Sequence, residues 1–141
     1  MNIFLDTSSL LKLYHQEDGT NELIKLISKK AKKIYLSELA KVEFSSAIIK
    51  KVRTKEISEE TAKSIISFFE NDFDKYIWIK VETTILNLAK ELIKQYGKNN
   101  LRTLDAIQLA CAINSKKEIN LFKTADNVLN NIFNLENLEI Q

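Results

Sequence analysis

The chain contains no proline and only two glycines, Gly19 and Gly97, among 141 residues. That excludes a Pro/Gly-rich linker and a glycine-rich phosphate-cradling loop, and it leaves hydrophobic periodicity as the main guide to element boundaries. There is one cysteine, Cys111, and one histidine, His15. A lone cysteine excludes an internal disulfide and points to a reducing cytoplasm. With a single histidine there is no zinc-ligand spacing, and Cys111 has no histidine partner in prospect to activate it. No apolar run approaches the ~20 residues that span a bilayer, so no membrane partner is expected. The opening Met1-Asn2-Ile3-Phe4-Leu5-Asp6 lacks the basic leader and small-residue cleavage site of a signal peptide. The net charge of +2 is too small to mark a nucleic-acid binder on its own.

Hydrophobic residues make up 45% of the chain, which is globular composition. The length suits a single domain, residues 1–141, around one core. No internal repeat or low-complexity tract is present. Positive charge is locally concentrated in two runs, Lys29, Lys30, Lys32 and Lys33, then Lys50, Lys51, Arg53 and Lys55. Solvated helix ends are the ordinary reading of such runs. A footprint for a phosphate backbone is the sharper one.

Periodicity and capping predict strands at residues 2–6, 34–36, 76–81 and 119–123, with a possible fifth at 135–140. Helices are predicted at 8–15, 20–32, 37–54, 58–74, 84–96, 103–115 and 126–133. Ser37 and Ser58 are suited to cap the third and fourth of these, and Gly97 to stop the fifth. The run 103–115 is nearly all apolar, as a buried helix should be. Strands alternating with helices predict an α/β domain with a mostly parallel sheet. In such sheets ligands bind beyond the carboxyl ends of the strands.

Four acids fall where separate segments deliver them to that edge. Asp6 ends the apolar run Ile3-Phe4-Leu5, and Asp126 follows Leu121-Phe122-Lys123-Thr124-Ala125. Asp105 lies in the first turn of the apolar helix, and Glu43 about two turns into the helix that follows the second strand. Each has an ordinary explanation. Asp6 and Asp126 are favourable helix caps, and Asp105 complements a helix dipole. Glu43 is harder to explain away. Its helical neighbours Leu39, Ala40 and Ala47 are apolar or small, and no lysine or arginine lies three or four residues from it. Carboxylates gathered beside apolar segments need neutralising, and a hard cation such as Mg²⁺ or Mn²⁺ is the candidate. Arg102, three residues before Asp105, is placed to hold a carboxylate or a substrate phosphate, or to sit exposed at the surface. His15 reads as a solvated residue near a helix end, and Cys111 as a core residue.

At these residues the sequence resembles the PIN-domain ribonucleases, and among them the VapC-type toxins of toxin–antitoxin pairs. The resemblance rests on four ordered segments: Ile3-Phe4-Leu5-Asp6-Thr7-Ser8-Ser9-Leu10-Leu11-Lys12-Leu13-Tyr14, Leu36-Ser37-Glu38-Leu39-Ala40-Lys41-Val42-Glu43-Phe44, Leu101-Arg102-Thr103-Leu104-Asp105-Ala106-Ile107-Gln108-Leu109-Ala110, and Phe122-Lys123-Thr124-Ala125-Asp126. It implies a three-layer α/β/α sandwich with sheet order 3-2-1-4-5. It also implies an acidic quartet of Asp6, Glu43, Asp105 and Asp126, supported by Ser8 and Thr124. The expected activity is Mg²⁺- or Mn²⁺-dependent hydrolysis of RNA, with an antitoxin protein and a second copy of the chain as partners. The apolar content of residues 58–76, with Ile65, Ile66, Phe68, Phe69 and Phe73, supports such a homodimer, or equally an ordinary pair of core helices.

Two rival readings stand beside it. An aspartyl-phosphate phosphatase also places an aspartate after its first strand, but needs a second one two residues on, where this chain has Ser8. A PIN-like module that only binds RNA or protein usually loses acids, and all four are present here.

Overall fold

The computed structural model describes residues 1–140. The first apolar run forms strand β1 (Asn2–Leu5), in which Ile3, Phe4 and Leu5 are wholly buried. A strand buried on both faces belongs in the middle of a parallel sheet. Next come helices α1 (Thr7–Tyr14) and α2 (Thr20–Lys30), β2 (Lys33–Ser37), and helices α3 (Leu39–Arg53) and α4 (Glu59–Asn71). After these lie β3 (Tyr76–Ile79), α5 (Thr83–Tyr96), α6 (Thr103–Asn114), β4 (Leu121–Lys123) and α7 (Asn127–Leu135). All three strand pairings are parallel, in the order β3-β2-β1-β4.

Strand alternation divides the apolar residues between two cores. Ile3, Leu5, Leu36, Tyr76 and Leu121 pack with side chains of α1 to α4. Phe4 and Phe122, with Tyr35 and Ile79, pack with α5, α6 and α7. The expected three-layer sandwich results, because each face of the sheet must be covered. On the first face Phe69 is the hub, its ring centroid 4.2 Å from Phe44 and 4.9 Å from Phe73. Burial of such a side chain stabilises the fold by about 1.5–3 kcal/mol.

Local signals place most helix ends. The Ser58 hydroxyl accepts the Thr61 N–H at 3.1 Å and caps α4. The Ser37 hydroxyl accepts the Leu39 N–H at 3.1 Å, so α3 begins two residues after Ser37 rather than at it. α5 ends before Gly97, as expected, yet Gly97 keeps right-handed dihedrals (φ −56°). The chain tightens into a single 3₁₀ turn, Gly97–Asn99, and the left-handed residue is Asn100 (φ 66°), a residue type that tolerates it.

Two expectations fail. Residues 135–140 do not form a fifth strand. α7 runs through Leu135, Asn137 turns the chain with φ 57°, and Leu138 is buried in the second core. A backbone hydrogen bond, from Phe122 N–H to the Glu139 carbonyl at 2.8 Å, ties this segment to the free edge of β4. Nor does α4 carry surplus apolar surface. Ile65 and Phe69 are buried, Ile66 and Phe73 pack on the same core, and only Phe68 of the five is exposed (66%). Among the described residues no helix is long and apolar enough to cross a membrane.

Candidate active site

β1 lies inside the sheet between β2 and β4, and the connections leaving the adjacent carboxyl ends of β1 and β4 lead to opposite faces, to α1 in the first core and to α7 in the second. Its carboxyl end is therefore the point at which a crevice opens. The Asp6 N–H donates to the Lys123 carbonyl at 3.1 Å, which holds the ends of β1 and β4 together.

Asp6 is 4% exposed. Its Oδ1 accepts the Ser9 N–H at 3.0 Å, so it does cap α1, as the ordinary reading had it. Its Oδ2 accepts the Thr124 hydroxyl at 2.6 Å, and the Ser8 hydroxyl donates to the carboxylate at 2.8 Å. Burial pushes the Asp6 carboxyl up to about 6, against the opposing hydrogen bonds of Thr124, Ser9 and Ser8 and with a further push from the Glu43 charge. Ser8 and Thr124 thus both serve Asp6. They also fix the following loop, accepting the Ala125 and Asp126 N–H groups at 2.9 Å and 3.0 Å.

Glu43 projects from the second turn of α3 and is half-buried. Its Oε1 accepts the Thr7 hydroxyl and the Gln108 amide, each at 2.7 Å. The sequence pattern called for a cation or a metal here. What the fold supplies locally is two neutral donors, which orient the carboxylate without cancelling its charge. Gln108 also donates to Thr7 at 3.0 Å, is 3% exposed, and leaves its own Oε1 without a partner. Sequence reasoning passed over both Thr7 and Gln108. The usable signal was a long polar side chain inside an apolar helix, one turn on from Asp105, since buried polar groups require partners.

Asp105, in the first turn of α6, is half-buried. Burial raises its pKa, the Asp126 charge raises it further, and Arg102 opposes through a backbone hydrogen bond and its charge. Asp126 caps α7, its Oδ1 accepting the Leu129 N–H at 2.8 Å. A cleft of about 740 Å³ is lined by Glu43, Arg102, Asp105 and Asp126. The quartet is thus drawn together as two interacting pairs, Asp6 with Glu43 and Asp105 with Asp126. Three members line the cleft and Asp6 is buried beside it, linked through the next residue, Thr7, to Glu43. His15 lies elsewhere, 3.7 Å from Glu17. Cys111 is buried and donates to the Ser37 hydroxyl at 3.3 Å, a core residue as expected.

The donor set consists only of hard oxygen ligands, the chemistry of Mg²⁺ or Mn²⁺ rather than zinc or copper. Among the described residues no three acidic, histidine or cysteine side chains stand close enough to hold one ion between them. Mg²⁺ does not need such a cage, since it is commonly bound by one or two carboxylates and keeps several waters.

Residues 3–133 match the family model described as the PIN domain. The chain belongs to the PIN-domain family. No curated protein matches the sequence. The structure of this PIN domain is similar to that of VapC20 of Mycobacterium tuberculosis, described as a sarcin–ricin-loop-cleaving toxin. The two share 17% identity with a TM-score of 0.71, covering 92% of this chain and 94% of the other. It is also similar to VapBC2 of Rickettsia felis, solved with a fragment of promoter DNA (15% identity, TM-score 0.66, covering 100% and 98%). A third similar structure is FitAcB of Neisseria gonorrhoeae (12% identity, TM-score 0.67, covering 98% and 95%). At these identities the likeness establishes the shared fold. The four acids of this PIN domain arise from the ends of β1 and β4 and from α3 and α6, at the crevice edge of that fold.

Proposed function

We propose that this PIN domain is a metal-dependent endoribonuclease and the toxin of a toxin–antitoxin pair. The observation that carries the reading is the convergence of Asp6, Glu43, Asp105 and Asp126, from four separate elements, on the carboxyl edge of the sheet. Asp6 is held in place there although its charge is costly to bury. A fold built for stability alone gains nothing from that arrangement. The toxin role is further supported by the fold shared with VapC20 and VapBC2.

Asp6 and Asp105 are the principal residues to hold Mg²⁺ or Mn²⁺, with Glu43 and Asp126 contributing directly or through water. The bound ion would polarise the phosphodiester and make water acidic enough to attack at neutral pH. Ser8, Ser9 and Thr124 fix both oxygens of Asp6. Thr7 and Gln108 fix Oε1 of Glu43, leaving Oε2 to accept a proton from the attacking water. Arg102, exposed at the cleft, is placed to bind a non-bridging phosphate oxygen. In-line attack of water on phosphorus forms one P–O bond and breaks the bond to the 3′ oxygen, giving a 5′-phosphate and a 3′-hydroxyl. The expected partners are RNA as substrate, a cognate antitoxin, and a second copy of the chain, for which Phe68 is the exposed apolar side chain that α4 offers.

The test is cleavage of total RNA with Mg²⁺, Mn²⁺ or EDTA by the wild type and by Asp6→Asn and Asp105→Asn. The wild type should cut only with metal and leave 5′-phosphate ends, and both variants should be folded and inactive. Full activity of either variant, or wild-type cleavage in EDTA, would sink the site. Binding of RNA with no cleavage under any metal would favour the non-catalytic reading, and a trapped phosphoaspartate the phosphatase.

A further inference from the structure

A second recess is lined by Ser9 and Thr124, two of the residues that hold Asp6. It has a volume of about 480 Å³ and lies between α1, α2 and the end of β4. Five lysines line it, Lys12, Lys25, Lys29, Lys30 and Lys123, against one acid, Glu22. That is more positive charge around one cavity than the net +2 of the whole chain. The lysines come from three elements, α1, α2 and β4, so a favourable helix end cannot explain them all. The second basic run behaves differently. Its Lys51 is neutralised by Glu17 and Glu56 at 3.4 Å and 3.3 Å, and none of its residues lines a described cavity. Among the described residues, Lys25, Lys29 and Lys30 form no ion pair, and the Lys12 ammonium, also without one, donates to the Asp18 carbonyl.

The recess is joined to the acidic site by residues that serve both. Ser9 and Thr124 line the recess, and the same two residues donate to Asp6. Ala125 lines it too, and the next residue, Asp126, lines the acidic cleft. Three consecutive residues span at most ~10 Å, a separation of only a few nucleotides along a strand. The recess also has an apolar part, Leu23 and Leu26. A bare anion has no use for that, whereas a sugar or base face does.

We propose that this lysine-lined recess is a subsite for the phosphate backbone of single-stranded RNA flanking the bond cut at the acidic cleft. The proposal rests on the ribonuclease reading above. It gives the two neighbouring cavities opposite tasks: the acidic cleft performs the chemistry, and the basic recess holds the adjacent strand against a site that would otherwise repel it. Each lysine–phosphate contact releases a counterion, so affinity should fall with salt in proportion to the number of contacts.

The test is fluorescence anisotropy with a short labelled single-stranded RNA in EDTA, across a salt series, with no cleavage required. The double variant Lys25→Ala/Lys29→Ala removes two exposed lysines from α2 while keeping good helix formers. Lys116→Ala/Lys117→Ala removes the same charge from exposed positions outside the recess and serves as control. The recess variant should bind at least ~10-fold more weakly at low salt, with the slope of log affinity against log salt reduced by about 1.4, while the control keeps nearly the wild-type slope. The charge-reversed Lys25→Glu/Lys29→Glu should lose more. With Mg²⁺ present, the recess variant should raise KM and leave kcat nearly unchanged. RNA affinity and salt slope unchanged from the wild type overturn the proposal, including when the variants lose binding of poly-glutamate, which would assign the recess to an acidic protein segment. A chain that binds RNA through these lysines but never cleaves it keeps the subsite and refutes the nuclease. Cleavage by variants that bind as wild type does the reverse.

Discussion

Asp6→Asn should stabilise the metal-free protein at neutral pH and flatten its pH dependence. Burial moves the Asp6 carboxyl from its ordinary 3.8 up to about 6. The folded chain therefore holds that proton more tightly than the unfolded chain does. Stability from this group is greatest in acid, falls as pH rises from about 4 to about 6, and carries the full cost above that. A gap of about two units corresponds to about 3 kcal/mol at pH 7. Asparagine removes the charge and keeps an oxygen for the Ser9 N–H, but Thr124 must turn its hydroxyl to accept from the new amide. Loss of charge assistance in that hydrogen bond offsets about 1–2 kcal/mol. The net gain should be about 1–2 kcal/mol, or roughly 3–8 °C in Tm. Urea unfolding in EDTA, from about pH 4.5 to about pH 8, reads it. The difference between wild type and variant isolates Asp6 from Asp105, whose pKa is raised too. Added Mg²⁺ should recover the wild type at pH 7 and do little for the variant, because metal competes with the proton for the carboxylate. Parallel loss of stability in the two proteins between about pH 4.5 and pH 7 would refute the argument, since it would mean that Asp6 is not the titrating group.

Gln108→Leu should cost about 1–3 kcal/mol, because Thr7 and Glu43 lose a buried donor, and should lower kcat more than it raises KM; unchanged turnover would remove Gln108 from the orientation of Glu43. If Mg²⁺ binds with a Kd near ~1 mM, ~10 mM should stabilise the wild type by about 1.4 kcal/mol beyond NaCl at matched ionic strength, and Glu43→Gln should reduce that shift; equal responses to the two salts would count against a metal site. Ser58→Ala, far along the chain from the acids, should cost about 1 kcal/mol by uncapping α4 and leave cleavage per folded molecule unchanged, as a melting curve and a specific-activity assay would show.

The sequence alone determined the α/β class with a parallel sheet and singled out the four acids as candidates. Ile3-Phe4-Leu5 with no polar alternation reads as a strand covered on both faces, and the apolar run 103–115 as an internal helix. That pattern dictates parallel strands with helices on each side, and so it dictates which strand ends face the crevice. Local chemistry named the caps at Asp6, Ser58 and Asp126, because a cap depends on residues within one turn. Pairings across the chain belonged to the tertiary structure. Gln108 meets Glu43 across 65 positions, and Thr124 meets Asp6 across 118; no periodicity encodes such contacts. The fifth strand failed for the same reason. Leu138 and Ile140 of residues 135–140 pack against the second core, and the segment forms no strand beside β4. The basic runs show the division most plainly. In sequence the two look alike, and only the fold sets Lys51 between two glutamates while gathering Lys29 and Lys30 with Lys12, Lys25 and Lys123 around one recess beside Asp6. Charge composition is a property of the chain, but a field strong enough to select a ligand requires like charges brought together, and that is the work of tertiary contacts.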